Sequence, residues 1–152
     1  MDDAEQLNTR FEGGPAQSPG LLLWRTTMRW QRTMTAVLAP LDLTHVQFVL
    51  LASAMWLGRN GEAPNQAQLA AQAGTDVKMT SDVVARLEAK GFIVRETDPK
   101  DSRAKTIRIT AAGAAVAQRA IVAVEAADAA FFGPVDEAQI VGVLRELSGP
   151  IR

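Results

Sequence analysis

Apolar positions fall into helical register soon after residue 20. Leu23, Trp30, Met34 and Val37, with Thr27 between them, form one stripe and predict an amphipathic helix over residues 21–39, with Arg25, Arg29 and Arg32 off the stripe. Pro40 stops that helix, because proline disfavours helical geometry in the residue before it. Thr44 then offers a hydroxyl to free backbone amides, and Gln47 completes the reciprocal capping box of a second helix over 46–57. That helix is apolar nearly all round (Val46, Phe48, Val49, Leu50, Leu51, Met55, Trp56), which places it at the centre of its fold. After a loop over 58–64, a short helix over 66–73 ends at Gly74. Thr75 and Asp76 can cap the next helix, 77–90, which stops at Gly91. Two helices joined by a short Gly-containing turn are the helix-turn-helix pattern.

The period then changes from helical to alternating. Phe92, Val94 and Glu96 alternate with Ile93, Arg95 and Thr97, and residues 106–110 alternate again. Between them lies DPKDSRAK, with Asp98-Pro99 as a turn starter and five charged residues in eight, so a β-hairpin with a charged tip is expected: a wing. A helix over 111–132 follows with eleven alanines, which let another helix approach closely. Gly133-Pro134 breaks it, and Asp136 caps a last helix with Ile140, Val143 or Leu144, and Leu147 on one face. The expected architecture is mainly α with a small β-hairpin: a flexible arm (1–20), one domain (21–147) with a winged helix-turn-helix over 44–110, and a tail (148–152).

Composition narrows the function classes. The 152 residues hold no cysteine, no tyrosine and one histidine, which excludes disulfides, thiol chemistry, iron–sulfur clusters and Cys- or His-rich metal sites. No cofactor and no metal are expected. No Gly-rich phosphate loop follows a strand, and the one histidine has no evident serine partner, so the chain is not read as an enzyme. The acidic, polar start lacks a signal-peptide pattern and no apolar run is long enough to span a membrane, so a cytoplasmic protein is expected. The formal charge of −1 conceals an asymmetry: residues 76–108 carry eight basic and six acidic side chains, a balance of +2 against −3 in the rest.

The order and size of these elements resemble the MarR family of bacterial transcription regulators over about 21–147. The resemblance is most specific in the wing, where Asp101-Ser102-Arg103 is followed by Ile107, Ile109, Thr110 and Gly113; the segments 74–95 and LTHVQFVLLA match as well. The resemblance implies a homodimer whose first and last helices (21–39 and 111–147) interlock between subunits. Each subunit would present a winged helix to double-stranded DNA, usually as a repressor that a small aromatic or phenolic ligand releases.

Candidate contacts follow from helical spacing. Val77, Thr80, Val84 and Leu87 are expected to face inward, leaving Lys78, Met79, Ser81, Asp82, Ala85 and Arg86 outward. Residues early in such a helix reach base edges in the major groove. Lys78 and Ser81 are therefore the candidate base contacts, Met79 a candidate for a thymine methyl, and Arg86 either neutralises a phosphate or pairs internally. In the wing, Arg103 suits a narrow A·T-rich minor groove, and Asp101 can hold its guanidinium by a bidentate pair. Lys100 and Lys105 flank the tip as candidate phosphate contacts, with Arg95 as an addition. Trp24, Trp30, His45, Phe48 and Trp56 are the candidate effector pocket, and His45 also offers a route to pH coupling. The rival reading is a non-catalytic protein-interaction module on a winged-helix scaffold.

Overall fold

The computed structural model describes residues 7–151. Six α-helices and one two-stranded hairpin follow in the order α1 (Pro19–Leu38), α2 (His45–Leu57), α3 (Gln66–Ala73), α4 (Val77–Ala89), β1 (Ile93–Thr97), β2 (Lys105–Ile109), α5 (Ala111–Phe132) and α6 (Glu137–Ser148). Residues 1–6 of the expected arm lie outside the described residues; nearer the body, Pro15–Gln17 form one turn of 3₁₀ helix. Helix α1 begins two residues before the apolar stripe suggests. Ser18 caps it by accepting from the Leu21 amide at 3.2 Å, and Pro19 sits at the first helical position, where its missing N–H costs no bond.

Capping explains most boundaries. Thr44 and Gln47 form the expected reciprocal box at the start of α2, each accepting the other's backbone N–H at 3.2 Å. Asn65 and Gln68 form a second one at α3, at 2.8 and 2.9 Å. Gly74 ends α3 with a φ of 69°, a left-handed conformation open to glycine without penalty. The α1–α2 turn uses Asp42 at a φ of 54°.

Helix α2 is the hub. Leu50, Leu51 and Ala54 are buried, and the helix touches α1, α3, α4, α5 and β2. Met34 and Leu38 of α1, Leu69 of α3, Val83, Val84 and Leu87 of α4, and Ile93 and Ile107 of the hairpin complete the core. Helix α5 buries a small-residue face, Gly113, Ala117, Ala120 and Val124, and packs on α1 and α2. Ala117 and Ala120 thus serve close packing inside the chain, while Ala111, Ala112, Ala115, Ala126, Ala129 and Ala130 are exposed. The hairpin pairs antiparallel with Ile93 opposite Ile109 and Thr97 opposite Lys105. Its inner strand, β2, gains a second partner, because the Ile107 amide donates to Pro64 O at 2.8 Å and Asn65 bridges to Thr106.

The ends of the chain differ from this body. Leu21, Leu22, Leu23 and Trp24 are exposed on the first half of α1. Helix α6, capped by Asp136 as expected, buries none of its side chains and exposes Val141, Val143, Leu144 and Leu147. Among the described residues, no single helix is long and apolar enough to cross a membrane.

Candidate nucleic-acid interface

The site is built on the turn between α3 and α4. Asp76 caps α4 by accepting from the Met79 amide at 2.7 Å. Thr80 is fully buried yet satisfied: its hydroxyl donates to Asp76 O at 2.7 Å and lies 2.8 Å from the Thr75 hydroxyl. These bonds fix where α4 starts and which way its first turn looks. Thr80, Val84 and Leu87 face inward as the spacing predicts, but Val77 is 73% exposed and Val83 takes the inward place. The packed face is centred between Val83 and Val84. Val77, on its margin in the first turn, has no neighbour to cover it. Lys78, Met79, Asp82, Ala85 and Arg86 are exposed, and Ser81 is half-buried at the edge.

The wing is shaped by two aspartates. Asp98 accepts the Lys100 amide at 2.9 Å, and Asp101 accepts the Arg103 amide at 3.0 Å. Asp101 therefore holds the backbone of the tip and forms no ion pair with the Arg103 guanidinium, contrary to the bidentate arrangement expected from the sequence. The reason is local: a carboxylate two residues before a free N–H closes an Asx turn at lower entropic cost than a long-chain pair. Asp98 N to Ala104 O and Ala104 N to Asp101 O, both 3.0 Å, close the loop.

Helix and wing are braced together by Glu88 and Lys90, which the sequence patterns do not single out, and by Arg95, Thr110 and Gly113, which they single out for other reasons. Glu88 of α4 accepts the Arg95 backbone amide at 2.9 Å and pairs with its guanidinium at 3.0 Å, and these bonds lower the Glu88 pKa, the backbone one most. Arg95 is thereby a brace and not a free phosphate contact. Lys90 reaches back to the α1–α2 turn, donating to Asp42 O and to Gln47 Oε1 at 3.0 Å. Thr110 donates to Gly91 O at 2.7 Å and receives the Gly113 amide at 3.0 Å. A Cβ on Gly113 would lie 1.9 Å from Phe92 O, so only glycine allows α5 to start this close to β1. The match of Thr110 and Gly113 to the family motif is thus a matter of joining three elements.

The eight cations of this region fall into two sets. Lys90 pairs with Asp42, Arg95 with Glu88, Lys100 with Glu62 at 2.6 Å, and Arg108 with Glu96 at 3.4 Å. Lys78, Arg86, Arg103 and Lys105 make no ion pair among the described residues; Lys105 donates only to the Thr97 hydroxyl, at 3.3 Å. Of the six acids, Asp76, Asp98 and Asp101 are spent on backbone amides, and Glu88 and Glu96 on ion pairs. The Lys100–Glu62 bond lowers the Glu62 pKa and raises that of Lys100, and it fastens the wing to the α2–α3 loop.

Of the aromatic residues, the structure brings together Trp30 and His45, whose rings meet edge to face at 4.8 Å between centroids. Trp30 Nε1 donates to Asp128 Oδ1 of α5 at 2.7 Å. Burial lowers the His45 pKa, and the nearby Asp128 charge opposes the shift. Phe48 lies one turn further along α2 and packs against the core. Trp56 stands eleven residues from His45 on the same helix, about 16 Å along its axis, and its ring lies under the Arg59 guanidinium at 3.9 Å. Trp24 is exposed on α1. The five residues therefore do not converge within one chain. Clefts of about 460 Å³ lie elsewhere, one between the α2–α3 loop and the wing, the other at the C-terminal end of the described chain. Among the described residues, no three His, Cys, Asp or Glu side chains gather as metal ligands.

A buried hub, a capped helix presented outward and a charged hairpin braced to it define a winged helix-turn-helix protein. The sequence profile of the MarR family matches residues 43–105. The uncharacterised HTH-type transcriptional regulator YdcH of Bacillus subtilis is 45% identical over 127 residues, 84% of this chain and 86% of that one. Among solved structures, CouR of Rhodococcus jostii RHA1, bound to p-coumaroyl-CoA, is 28% identical with a TM-score of 0.78, over 89% of this chain and 94% of that one. BpsR of Bordetella bronchiseptica, from work on how 6-hydroxynicotinic acid regulates its DNA binding, is 25% identical with a TM-score of 0.79, over 89% and 96%. The chain belongs to the MarR family and is a helix-turn-helix transcriptional regulator.

Proposed function

We propose that this regulator acts as a homodimeric repressor on a near-palindromic operator, with α4 in the major groove and the wing tip in the adjacent minor groove. The observation that carries this reading is the sorting of charge: Lys78, Arg86, Arg103 and Lys105 have no acidic partner among the described residues, while five of the region's six acids are held by amides or ion pairs. A net charge of −1 over the chain is then compatible with a phosphate-binding face. A second copy is the natural cover for the exposed apolar side chains of α1 and α6, and two copies place two α4 helices about one turn of duplex apart.

We assign release by a small aromatic acid or phenol to the Trp30–His45 pair, which offers an aromatic wall and an imidazole beside α5, with Asp128 already engaged by the Trp30 indole. The 6-hydroxynicotinic acid that regulates BpsR and the p-coumaroyl group on CouR belong to that chemical class. As a member of a family of DNA-binding transcriptional regulators, the chain is read as non-enzymatic and cytoplasmic.

Mobility shifts on a promoter fragment from the protein's own locus test the reading, with a shuffled duplex as control. Arg103→Ala should weaken binding and flatten the salt dependence by about 0.9 per lost phosphate contact. Equal binding to both duplexes, or a shift unchanged by Arg103→Ala, contradicts it and favours a protein-docking module.

A further inference from the structure

We infer that α4 recognises thymine methyl groups with two apolar side chains, Val77 and Met79, which flank Lys78 in its first turn; the inference rests on the DNA-binding reading above. Met79 is 45% exposed and is the methyl contact expected from the sequence. Val77, expected in the core, is 73% exposed. Nothing in the fold uses it. The inward position belongs to Val83, the end of the helix is capped by Asp76 through the Met79 amide, and the turn is held by Thr75 and Thr80. A β-branched residue also adds little to helix stability at an exposed position. Val77 lies outside the core cluster and is free to contact a partner at the turn that the proposal sets in the groove.

Helical geometry gives that use a shape. Successive side chains are about 100° apart, so Val77 and Met79 lie on opposite sides of Lys78. When the first turn enters a major groove, Lys78 meets a base edge and the two apolar groups meet the base pairs to either side. The one apolar group that the major groove presents is the C5-methyl of thymine. Lys78 can bond guanine acceptors, and a lysine flanked by Val77 and Met79 would read a guanine with thymines beside it.

The test exploits deoxyuridine, which removes the methyl and keeps every hydrogen-bonding group. Duplexes are enriched from a randomised pool with the intact protein, and each thymine in one half-site is then replaced singly by deoxyuridine. Two positions should each lose about fourfold in affinity, the value of burying one methylene-sized group. In Val77→Ala one of these losses should vanish and the other persist, and Met79→Ala should show the reverse. Both side chains are exposed, and unchanged melting curves will show that the variants fold. Tolerance of deoxyuridine at every position, or losses that persist in both variants, overturns the inference. If no duplex is enriched at all, the DNA-binding reading fails as well, a result distinct from either.

Discussion

The winged-helix body and the terminal helices solve the same problem in opposite ways. In the body, α2 packs against α1, α3, α4, α5 and β2, each of α2, α3 and α4 has a side-chain cap, and the buried Thr80 hydroxyl has partners. At the ends, the first half of α1 and all of α6 are folded, well capped and largely uncovered, with Trp24 at 62% and Leu147 at 71% exposure. Local rules alone make both regions helical. Only the body also has somewhere within the chain to bury its apolar face. The contrast separates a unit complete in one chain from apolar surfaces left uncovered by it, which the proposal above assigns to a second copy.

The largest effect should come from breaking the joint that keeps the body compact. Gly113→Ala forces a methyl into Phe92 O, and overpacking of this kind costs about 3 kcal/mol. Thermal melting should fall by roughly 10 °C for a domain of this size; an unchanged midpoint would mean that α5 can move away freely. Next comes the terminal surface. Leu144→Glu with Leu147→Glu should leave the melting of the body intact, halve the mass by light scattering, and weaken operator binding by about 10²-fold or more as avidity is lost. A dimer that survives both charges would place the interface elsewhere.

A smaller effect is expected inside the DNA-binding face. Glu62→Gln releases Lys100 from its exposed ion pair. Such a pair contributes about 0–1 kcal/mol, so stability should hardly change while affinity for DNA at low salt rises about two- to threefold; lower affinity would mean that the bond positions the wing productively. The smallest is a pH effect on the joint between α1, α2 and α5. His45 has a lowered pKa in the fold, so its contribution is present above the unfolded value near ~6.5 and is lost as pH falls below it. Melting temperature should decrease on acidification in that window, and His45→Asn should flatten the decrease. Glu62 and Glu88, with lowered carboxylate pKa values, lose their contributions only at more acidic pH.

Periodicity and punctuation made most of the architecture legible. Pro40, Thr44, Gly74, Asp76, Gly91 and Asp136 all mark element ends within a residue or two, because caps and turns act through neighbours in sequence. The Asn65–Gln68 box carried the same signal and was there to be read. What spacing misjudged were orientations set by tertiary neighbours. Val77 fits an inward heptad-like series as well as Val83 does, and only the placement of α3 and α2 decides between them. Asp101 beside Arg103 suggests a salt bridge, whereas the free amide of a tight loop claims the carboxylate first. Glu88 with Arg95, and Glu62 with Lys100, join residues from different elements, and no local pattern encodes such pairs. The aromatic residues show the same limit: being on two helices says nothing of whether Trp24 and Trp56 meet Trp30.

On the proposed reading, one chain completes the DNA-reading unit and two chains complete the regulator. Sedimentation of the protein with a duplex enriched from a randomised pool tests both halves at once. Two chains per duplex are expected for the wild type and, for the Leu144→Glu, Leu147→Glu variant, a folded single chain that binds the duplex weakly and one copy at a time. A wild-type complex with one chain per duplex, or a variant that cannot fold alone, would contradict it.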